Sequence, residues 1–214
     1  MISLVTACWG GYWDQYGKQF VSSVKNLNTP PDEVVVASDV PLVLPDGWRQ
    51  IPASEPYFFD AWNDVFLAAR NEWVAFLSMD DVLLPNALDN LPLAGDVLVC
   101  SVVDSEKNIC IPSLERFDNI FDEATFPLVG WAIFKKSTIE RVPFRRVNFT
   151  DWIASLEYKH LGLDVRVDPT VRYFYALHQD QYSRYGRVQD VDLMKNLLKT
   201  GRVVQGREWP PLLA

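Results

Sequence analysis

The chain has 214 residues, of which 49% are hydrophobic and 22% are charged, a composition typical of a globular protein with a buried core. Its formal net charge of −8 argues against a protein that follows nucleic-acid phosphates, because that class needs a basic surface. The cysteines Cys8, Cys100 and Cys110 are odd in number and lack CxxC spacing, so they predict neither a disulfide framework nor structural zinc.

The first residues have the character of a strand. An apolar run over residues 2–8 has no basic segment before it and leads into Gly10 and Gly11, which favours a strand and a turn over a secretion signal. No apolar run approaches the ~18 residues that a membrane span requires. We therefore expect a cytoplasmic protein without a membrane anchor.

Predicted strands and helices alternate through the first half of the chain. Short apolar runs predict strands, and apolar residues at helical spacing predict helices. The predicted strands are 2–8, 33–38, 48–51, 73–77, 97–103, 131–134, 165–167 and 171–175. The predicted helices are 16–27, 58–69, 86–91, 151–161 and 191–198, and residues 104–126 are irregular. This alternation predicts an α/β fold with a central, mostly parallel sheet flanked by helices.

Carboxylates follow two of the predicted strands. Asp39 comes after the second strand, and Asp80 and Asp81 come after the fourth. Ligands of open α/β sheets gather beyond the carboxyl ends of the strands. Adjacent carboxylates repel each other unless a cation compensates, and carboxylate oxygens suit Mg²⁺ and Mn²⁺. These residues therefore support two interpretations equally: a divalent-cation site, and a turn that binds nothing.

Several segments, in this order, resemble the GT-A glycosyltransferases of the inverting family 2 type. The fourth strand and its end resemble that family's DxD segment in Phe76-Leu77-Ser78-Met79-Asp80-Asp81, which Pro85 follows closely. Asn63 and Trp73-Val74-Ala75 resemble the residues that precede this segment. Later residues resemble the segment that carries the general base, namely Phe144, Thr150-Asp151-Trp152 and Gly162. Residues 172–178 resemble a tail strand that ends in a histidine, here His178.

The resemblance implies a GT-A (Rossmann-like) nucleotide-diphospho-sugar transferase fold in a single domain, 1–214. Its donor-binding half would be about 1–104, its acceptor and base half about 105–185, and its C-terminal helix and tail 186–214. The implied activity is transfer of a sugar from a nucleotide-diphosphate sugar, with a UDP-sugar as the expected donor, to an acceptor hydroxyl by one inverting displacement. The implied cofactor is Mn²⁺ or Mg²⁺. The acceptor stays open among protein, glycan, small molecule and modified nucleic acid.

The resemblance also assigns roles to residues. Asp80 would bind the metal with His178 as a further ligand, and Asp151 would be the general base. Because Asp151 begins a predicted helix, we expect its pKa to be lowered and the carboxyl to be ionised at neutral pH. The residues expected to contact the nucleotide-sugar are Thr6, Ala7, Asp39, Asn63, Ser78, Met79, Trp131, Trp152 and Arg184, with Arg187 as an alternative to Arg184.

Two departures from the family pattern keep other functions open. Ser78 stands where the first Asp of DxD is usual, and Thr150 replaces the Glu before the base. Both favour a non-catalytic nucleotide-sugar-binding module as the alternative. A nucleotidyltransferase would normally carry a basic, glycine-rich loop after the first strand, and residues 7–12 contain no Lys or Arg. Asp151 is also a natural helix N-cap, Asp39 a turn residue, and Trp131 and Trp152 candidate core residues.

Overall fold

A computed structural model of the chain describes residues 1–9, 11–53, 58–146, 150–176 and 188–201. In that part of the chain, the strands are β1 (Ile2–Cys8), β2 (Glu33–Ser38), β3 (Arg49–Pro52), β4 (Trp73–Phe76), β5 (Val82–Leu83), β6 (Val97–Asp104), β7 (Ile109–Cys110), β8 (Trp131–Lys135) and β9 (Val165–Tyr175). The helices are α1 (Tyr12–Lys25), α2 (Phe58–Ala68), α3 (Leu114–Asp118), α4 (Lys136–Arg141), α5 (Thr150–His160) and α6 (Val188–Lys199).

The described strands form one sheet in the order β3-β2-β1-β4-β8-β6-β9-β5, with β7 paired to β6. Strands β1 to β4 are parallel to one another. Strand β8 lies between β4 and β6 and is antiparallel to both, whereas β9 is parallel to β6. The predicted mostly parallel α/β sheet is therefore confirmed, with β8 reversed at its centre and the short strands β5 and β7 also antiparallel to their partners.

Both faces of the sheet are covered. In β1, Val5 and Ala7 belong to an apolar cluster on one face, whereas Leu4 and Cys8 belong to a cluster on the other face. The first cluster includes residues of α2, α5 and α6, and the second includes residues of α1. A strand buried on both faces is apolar at consecutive positions, which explains why β1 and β2 have the predicted bounds.

The predicted helix over 86–91 is wrong. This segment forms turns with isolated bonds, in which Ala87 N–H donates to the Leu84 carbonyl and Asp89 N–H to the Asn86 carbonyl. The guanidinium of Arg172, only 5% exposed, donates to the carbonyls of Asn86, Ala87 and Asp89. The Arg172 side chain of β9 thus donates the hydrogen bonds that these carbonyls would accept from backbone N–H groups in a helix.

The two predicted late strands are one strand, β9, with an irregularity in its middle. In β6, Cys100 pairs with Asp168, and the next residue, Ser101, pairs with Val171. The register between β6 and β9 therefore shifts at this point. Asp168 accepts a hydrogen bond from Thr170 N–H at 2.9 Å, which stabilises the bulged residues. A β-bulge places extra residues in one strand without ending its pairing.

Short elements are the other difference from the prediction. β7 and α3 lie inside the segment expected to be irregular, and α4 directly follows β8. The N-terminus of α3 is capped by Ser113, whose Oγ accepts from Arg116 N–H. Among the described helices, none has both the length and the apolar character needed to cross a membrane.

Candidate active site

A cleft of about 450 Å³ opens at the carboxyl ends of β1 and β4 and continues beneath α5. Trp131 and Phe134 both line it, so it extends roughly 10 Å along β8 at about 3.3 Å per strand residue. Twelve of its lining residues are aromatic: Trp9, Tyr12, Phe59, Trp62, Phe76, Phe126, Trp131, Phe134, Phe144, Tyr158, Tyr173 and Tyr175. Its lining carboxylates are Asp80 and Asp81 after β4 and Asp151 on α5.

The acidic turn after β4, residues 78–81, forms the outer end of the cleft. Its closing bond runs from Asp81 N–H to the Ser78 carbonyl, at 3.1 Å. Asp80 is 8% exposed, and its Oδ2 accepts a hydrogen bond of 2.9 Å from the Tyr12 hydroxyl. Gln19 Nε2 donates to the Asp80 carbonyl at 3.1 Å. Two side chains of α1 therefore fix the position of Asp80.

Asp81 is held from the other side of the cleft. Its carboxylate accepts hydrogen bonds from the Tyr173 hydroxyl and from Ala176 N–H, the latter at 2.8 Å. Burial raises the pKa of Asp81 to about 7, with a further contribution from the adjacent charge of Asp80. Burial and the charge of Asp80 also raise the pKa of Tyr12, so its hydroxyl stays protonated and donates.

Asp151 lies in the first turn of α5 and opens onto the cleft. Its Oδ1 accepts a hydrogen bond of 2.9 Å from Trp152 N–H. The residue is exposed, but the protein atoms packed around its carboxyl raise the pKa of Asp151, outweighing the lowering effect of the backbone hydrogen bonds. The expectation of a lowered pKa is therefore wrong, because the loss of solvation around the carboxyl exceeds the effect of its backbone hydrogen bonds.

A buried network positions the segment that leads into α5. The side-chain amide of Asn63 donates to the Phe59 and Phe144 carbonyls at 2.9 and 2.8 Å, and its oxygen accepts from Phe144 N–H at 2.8 Å. Arg145 forms a buried ion pair with Glu157 at 2.5 Å. Asn63 is fully buried and does not line the described cleft, so its visible role is to tie α2 to this segment.

The other residues expected from the sequence are divided between the cleft and its surroundings. Ala7, Ser78, Met79 and Trp131 line the cleft. The described lining does not include Thr6, which is buried in β1, nor Asp39, which is exposed after β2. Trp152 is 5% exposed and packs on Phe126 in the core at 5.9 Å, also outside that lining. His178, Arg184 and Arg187 lie outside the described residues.

Several lining residues were not predicted from the sequence. Tyr12 lies before the predicted first helix, which was expected to begin at Tyr16, but it begins α1. Tyr173 appeared only as one residue of an apolar strand, yet its ring stacks on Trp131 at 6.1 Å and its hydroxyl reaches Asp81. Tyr158 lies at the inner end of the cleft. Their contacts join positions far apart in the chain, and no local pattern predicts such pairs.

The outer end offers a partial metal site. The described residues contain no group of three or more His, Cys, Asp or Glu side chains that could hold a metal ion. Mg²⁺-type sites often use only one or two carboxylates, with substrate phosphates and water as the other ligands. Asp80 at the cleft fits that arrangement, whereas the Asp81 carboxylate is already bonded to Tyr173 and Ala176.

Comparison with known proteins identifies the fold. No protein-family model matches the chain, and no curated protein sequence matches it. The structure is similar to S. aureus TarS in complex with UDP-GlcNAc, with a TM-score of 0.64 and 14% identity over 92% of this chain and 66% of that one. It is also similar to the Pyrobaculum calidifontis mannosyltransferase PcManGT in complex with GDP-Man and Mn²⁺, with a TM-score of 0.63 and 16% identity over 98% of this chain and 66% of that one.

These similarities are structural, and the chain spans slightly less than two thirds of the length of both solved chains. Both neighbours are GT-A glycosyltransferases. Their sequence identity is low, so the likeness concerns the arrangement of strands and helices. The chain therefore has the GT-A fold, as its sequence motifs predicted.

Proposed function

We propose that the protein is a metal-dependent inverting glycosyltransferase that moves a sugar from a nucleotide-diphosphate sugar to an acceptor hydroxyl. One observation carries this proposal. Asp80 and Asp151 come from distant parts of the chain and line the same cleft, at the edge of an α/β sheet where ligands bind. A metal-binding carboxylate and a proton-accepting carboxylate are the two groups that the reaction needs.

Asp80 would hold the divalent cation at the outer end, together with the donor's phosphates. The cation would offset the negative charge that builds up on the departing nucleotide diphosphate. Tyr12 orients the Asp80 carboxylate through its hydroxyl, and the bonds from Tyr173 and Ala176 occupy both oxygens of the Asp81 carboxylate. The protein thus presents one fixed carboxylate for the ion rather than two repelling ones.

Asp151 would accept the proton at the inner side of the cleft. A new bond forms between the acceptor oxygen and the anomeric carbon while the bond from that carbon to the diphosphate oxygen breaks. The electron pair leaves with the nucleotide diphosphate, and the acceptor proton moves to Asp151. The raised pKa of Asp151 makes this carboxylate a stronger base than an ordinary aspartate.

The donor would lie along the carboxyl ends of β1, β2 and β4. Ala7, Ser78 and Met79 line that part of the cleft, and Trp131 would contact the sugar there. We keep Thr6 and Asp39 as proposed contacts of the nucleotide, Arg184 of the diphosphate and His178 of the metal. Asn63 and Trp152 would act by positioning the residues around the cleft.

The donor class follows from the proteins with the same fold. TarS is seen with UDP-GlcNAc and with UDP, and PcManGT with GDP-Man and Mn²⁺. We therefore propose a nucleotide-diphosphate sugar, with UDP-sugars to be tested first and Mn²⁺ as the first metal. The acceptor is left among protein, glycan, small molecule and modified nucleic acid.

The decisive experiment is a thermal-shift screen of UDP-sugars and GDP-sugars with Mn²⁺ and with EDTA, followed by donor-hydrolysis assays. We expect a stabilising nucleotide-sugar whose effect requires Mn²⁺ and is lost in Asp80→Ala. Asp46→Ala is the matched control, because Asp46 is an exposed carboxylate in the turn before β3. Equal stabilisation of wild type and Asp80→Ala would contradict the metal assignment.

A non-catalytic nucleotide-sugar-binding module is the second candidate. It is favoured by Ser78 in place of a first carboxylate and by the lack of a three-carboxylate cluster in the described residues. Such a module would bind the same nucleotide-sugar with Mn²⁺ but would neither hydrolyse nor transfer it. Binding without turnover over a panel of acceptors would favour this candidate.

A further inference from the structure

One face of α5 lines the inner end of the cleft. Asp151, Ser155 and Tyr158 are separated by four and three positions and all contribute to the lining. Residues at this spacing share one side of a helix. Ser155 directs its hydroxyl to the Asp151 carbonyl at 2.8 Å, so its hydrogen bond is made within the helix.

Tyr158 differs from the other two residues on this face. Its side chain packs edge-on against Phe134 with ring centroids 6.3 Å apart, and the residue is 2% exposed. Its hydroxyl oxygen is buried and has no hydrogen-bond partner among the residues that the structure describes. Phe134, and Phe144 packed against it, are apolar and offer no side-chain partner.

An unpaired buried hydroxyl is unfavourable for folding, because it loses its bonds to water and gains none in return. Phenylalanine would fill the same space without this penalty. Burial, with the charges of Glu157 and Asp151, raises the pKa of Tyr158. The group is therefore a protonated O–H that can donate a hydrogen bond to whatever occupies the inner end of the cleft.

We propose that Tyr158 is a specificity-determining residue whose hydroxyl donates a hydrogen bond to an oxygen of a saccharide ring bound at the inner end of the cleft. Aromatic walls accept the apolar face of such a ring, while the unpaired Tyr158 hydroxyl selects for an oxygen at one position. The proposal rests on the proposed function, since the saccharide would be the transferred sugar or the acceptor.

The variant Tyr158→Phe separates a ligand-binding role from a structural one. We expect the ligand-free variant to melt about 2–4 °C higher than wild type, since an unpaired buried hydroxyl is removed. We expect its affinity for the saccharide to fall about tenfold, the size expected for one lost hydrogen bond to a ligand. A hydroxyl needed only for the fold would lower the melting temperature instead.

Ser101→Ala is the matched control. The Ser101 hydroxyl is also buried in the described structure without a partner, but it lies in β6 and not in the described lining of the cleft. This variant should likewise melt higher, whereas its ligand affinities should equal those of wild type. Equal losses of affinity in Ser101→Ala and Tyr158→Phe would overturn the proposal.

Calorimetric titrations distinguish the two sources of the saccharide. Wild type and Tyr158→Phe are compared with UDP-GlcNAc, with UDP, and with methyl pyranosides of glucose, mannose and N-acetylglucosamine, in the presence of Mn²⁺. Weaker binding of UDP-GlcNAc with unchanged binding of UDP assigns the contact to the transferred sugar. Weaker binding of a methyl pyranoside with unchanged binding of UDP-GlcNAc assigns it to the acceptor.

The proposal is overturned if Tyr158→Phe binds every one of these probes as tightly as wild type does, or if the wild-type protein binds none of them. Failure of the proposed function gives a different pattern. In that case wild type would bind a methyl pyranoside in a Tyr158-dependent manner but would neither bind a nucleotide-sugar nor require Asp80.

Discussion

The two ends of the cleft are built differently. At the outer end, Asp80 and Asp81 receive hydrogen bonds from Tyr12, Tyr173 and the backbone of Ala176. At the inner end, Asp151 accepts a bond from the N–H of the next residue, and the Tyr158 hydroxyl has no partner in the described structure. The carboxylates are held by hydrogen bonds at the end where an ion would bind. A hydroxyl without a partner in the described structure lies at the end where a sugar would bind.

Both ends also contain a carboxyl with a raised pKa, and loss of solvation to the surrounding protein atoms is the main cause at each. The consequences differ because the surroundings differ. Asp81 is enclosed by its donors, so its protonation affects stability, whereas Asp151 opens onto the cleft and can exchange a proton with a ligand. The contrast predicts that substitutions at the outer end change metal binding and stability, while those at the inner end change the transfer step.

The largest effect is expected from Asp80→Ala. Asp80 is the cleft carboxylate best placed for the ion, so its loss should abolish detectable donor turnover with Mn²⁺. The fold should survive, because Asp80 lies in a turn and contributes no apolar contact to the core. Turnover assays and circular dichroism of Asp80→Ala and Asp46→Ala test this. Near wild-type turnover in Asp80→Ala would show that the ion lies elsewhere.

Asp151→Asn should lower the transfer rate by roughly 10²–10⁴-fold, the usual range for removal of a general base. Asparagine keeps the shape and can still accept the hydrogen bond from Trp152 N–H, so donor affinity should be nearly unchanged. Steady-state kinetics and a donor titration measure the two effects separately. A variant that loses donor affinity and keeps its turnover would place Asp151 among the donor contacts.

Asp81→Asn should flatten the dependence of stability on pH in the metal-free protein. The folded-state pKa of Asp81, about 7, lies above its ordinary value of 3.8. The stabilising contribution of this group is therefore full below pH 3.8 and is lost as pH rises through 7, by about 4 kcal/mol at most. Urea unfolding in EDTA at pH 5 and pH 8 measures it. The same pH dependence in wild type and variant would contradict the raised pKa.

The smallest effect is expected from Tyr12→Phe, which removes the hydroxyl that donates to Asp80. Groups that orient a metal ligand typically contribute about 10–100-fold to metal affinity or activity. We expect a loss near the lower limit, about tenfold in Mn²⁺ affinity. Tyr16→Phe is the control, because its hydroxyl bonds to the exposed Gln15 side chain. Unchanged Mn²⁺ affinity in Tyr12→Phe would show that Asp80 needs no such support.

The bounds of β1 and β2 could be predicted because a strand buried on both faces is apolar at most consecutive positions. The carboxylates after β4 could be predicted for a similar reason, since chain direction alone places them at the ligand-binding edge of a parallel sheet. The segment over 86–91 was misassigned because its carbonyls are bonded by Arg172, which follows more than eighty residues later. No local pattern contains that contact.

The sequence by itself determined the α/β alternation, the GT-A resemblance and the candidate carboxylates Asp80 and Asp151, because these depend on local apolar patterns and short motifs. Only the tertiary structure decided the position of β8 between β4 and β6, the bonds that hold Asp80 and Asp81, and the direction of the pKa change at Asp151. These features depend on which distant groups come together and how much water they exclude. The same reason applies to the Tyr158 hydroxyl, whose exclusion from water results from packing between α5 and β8.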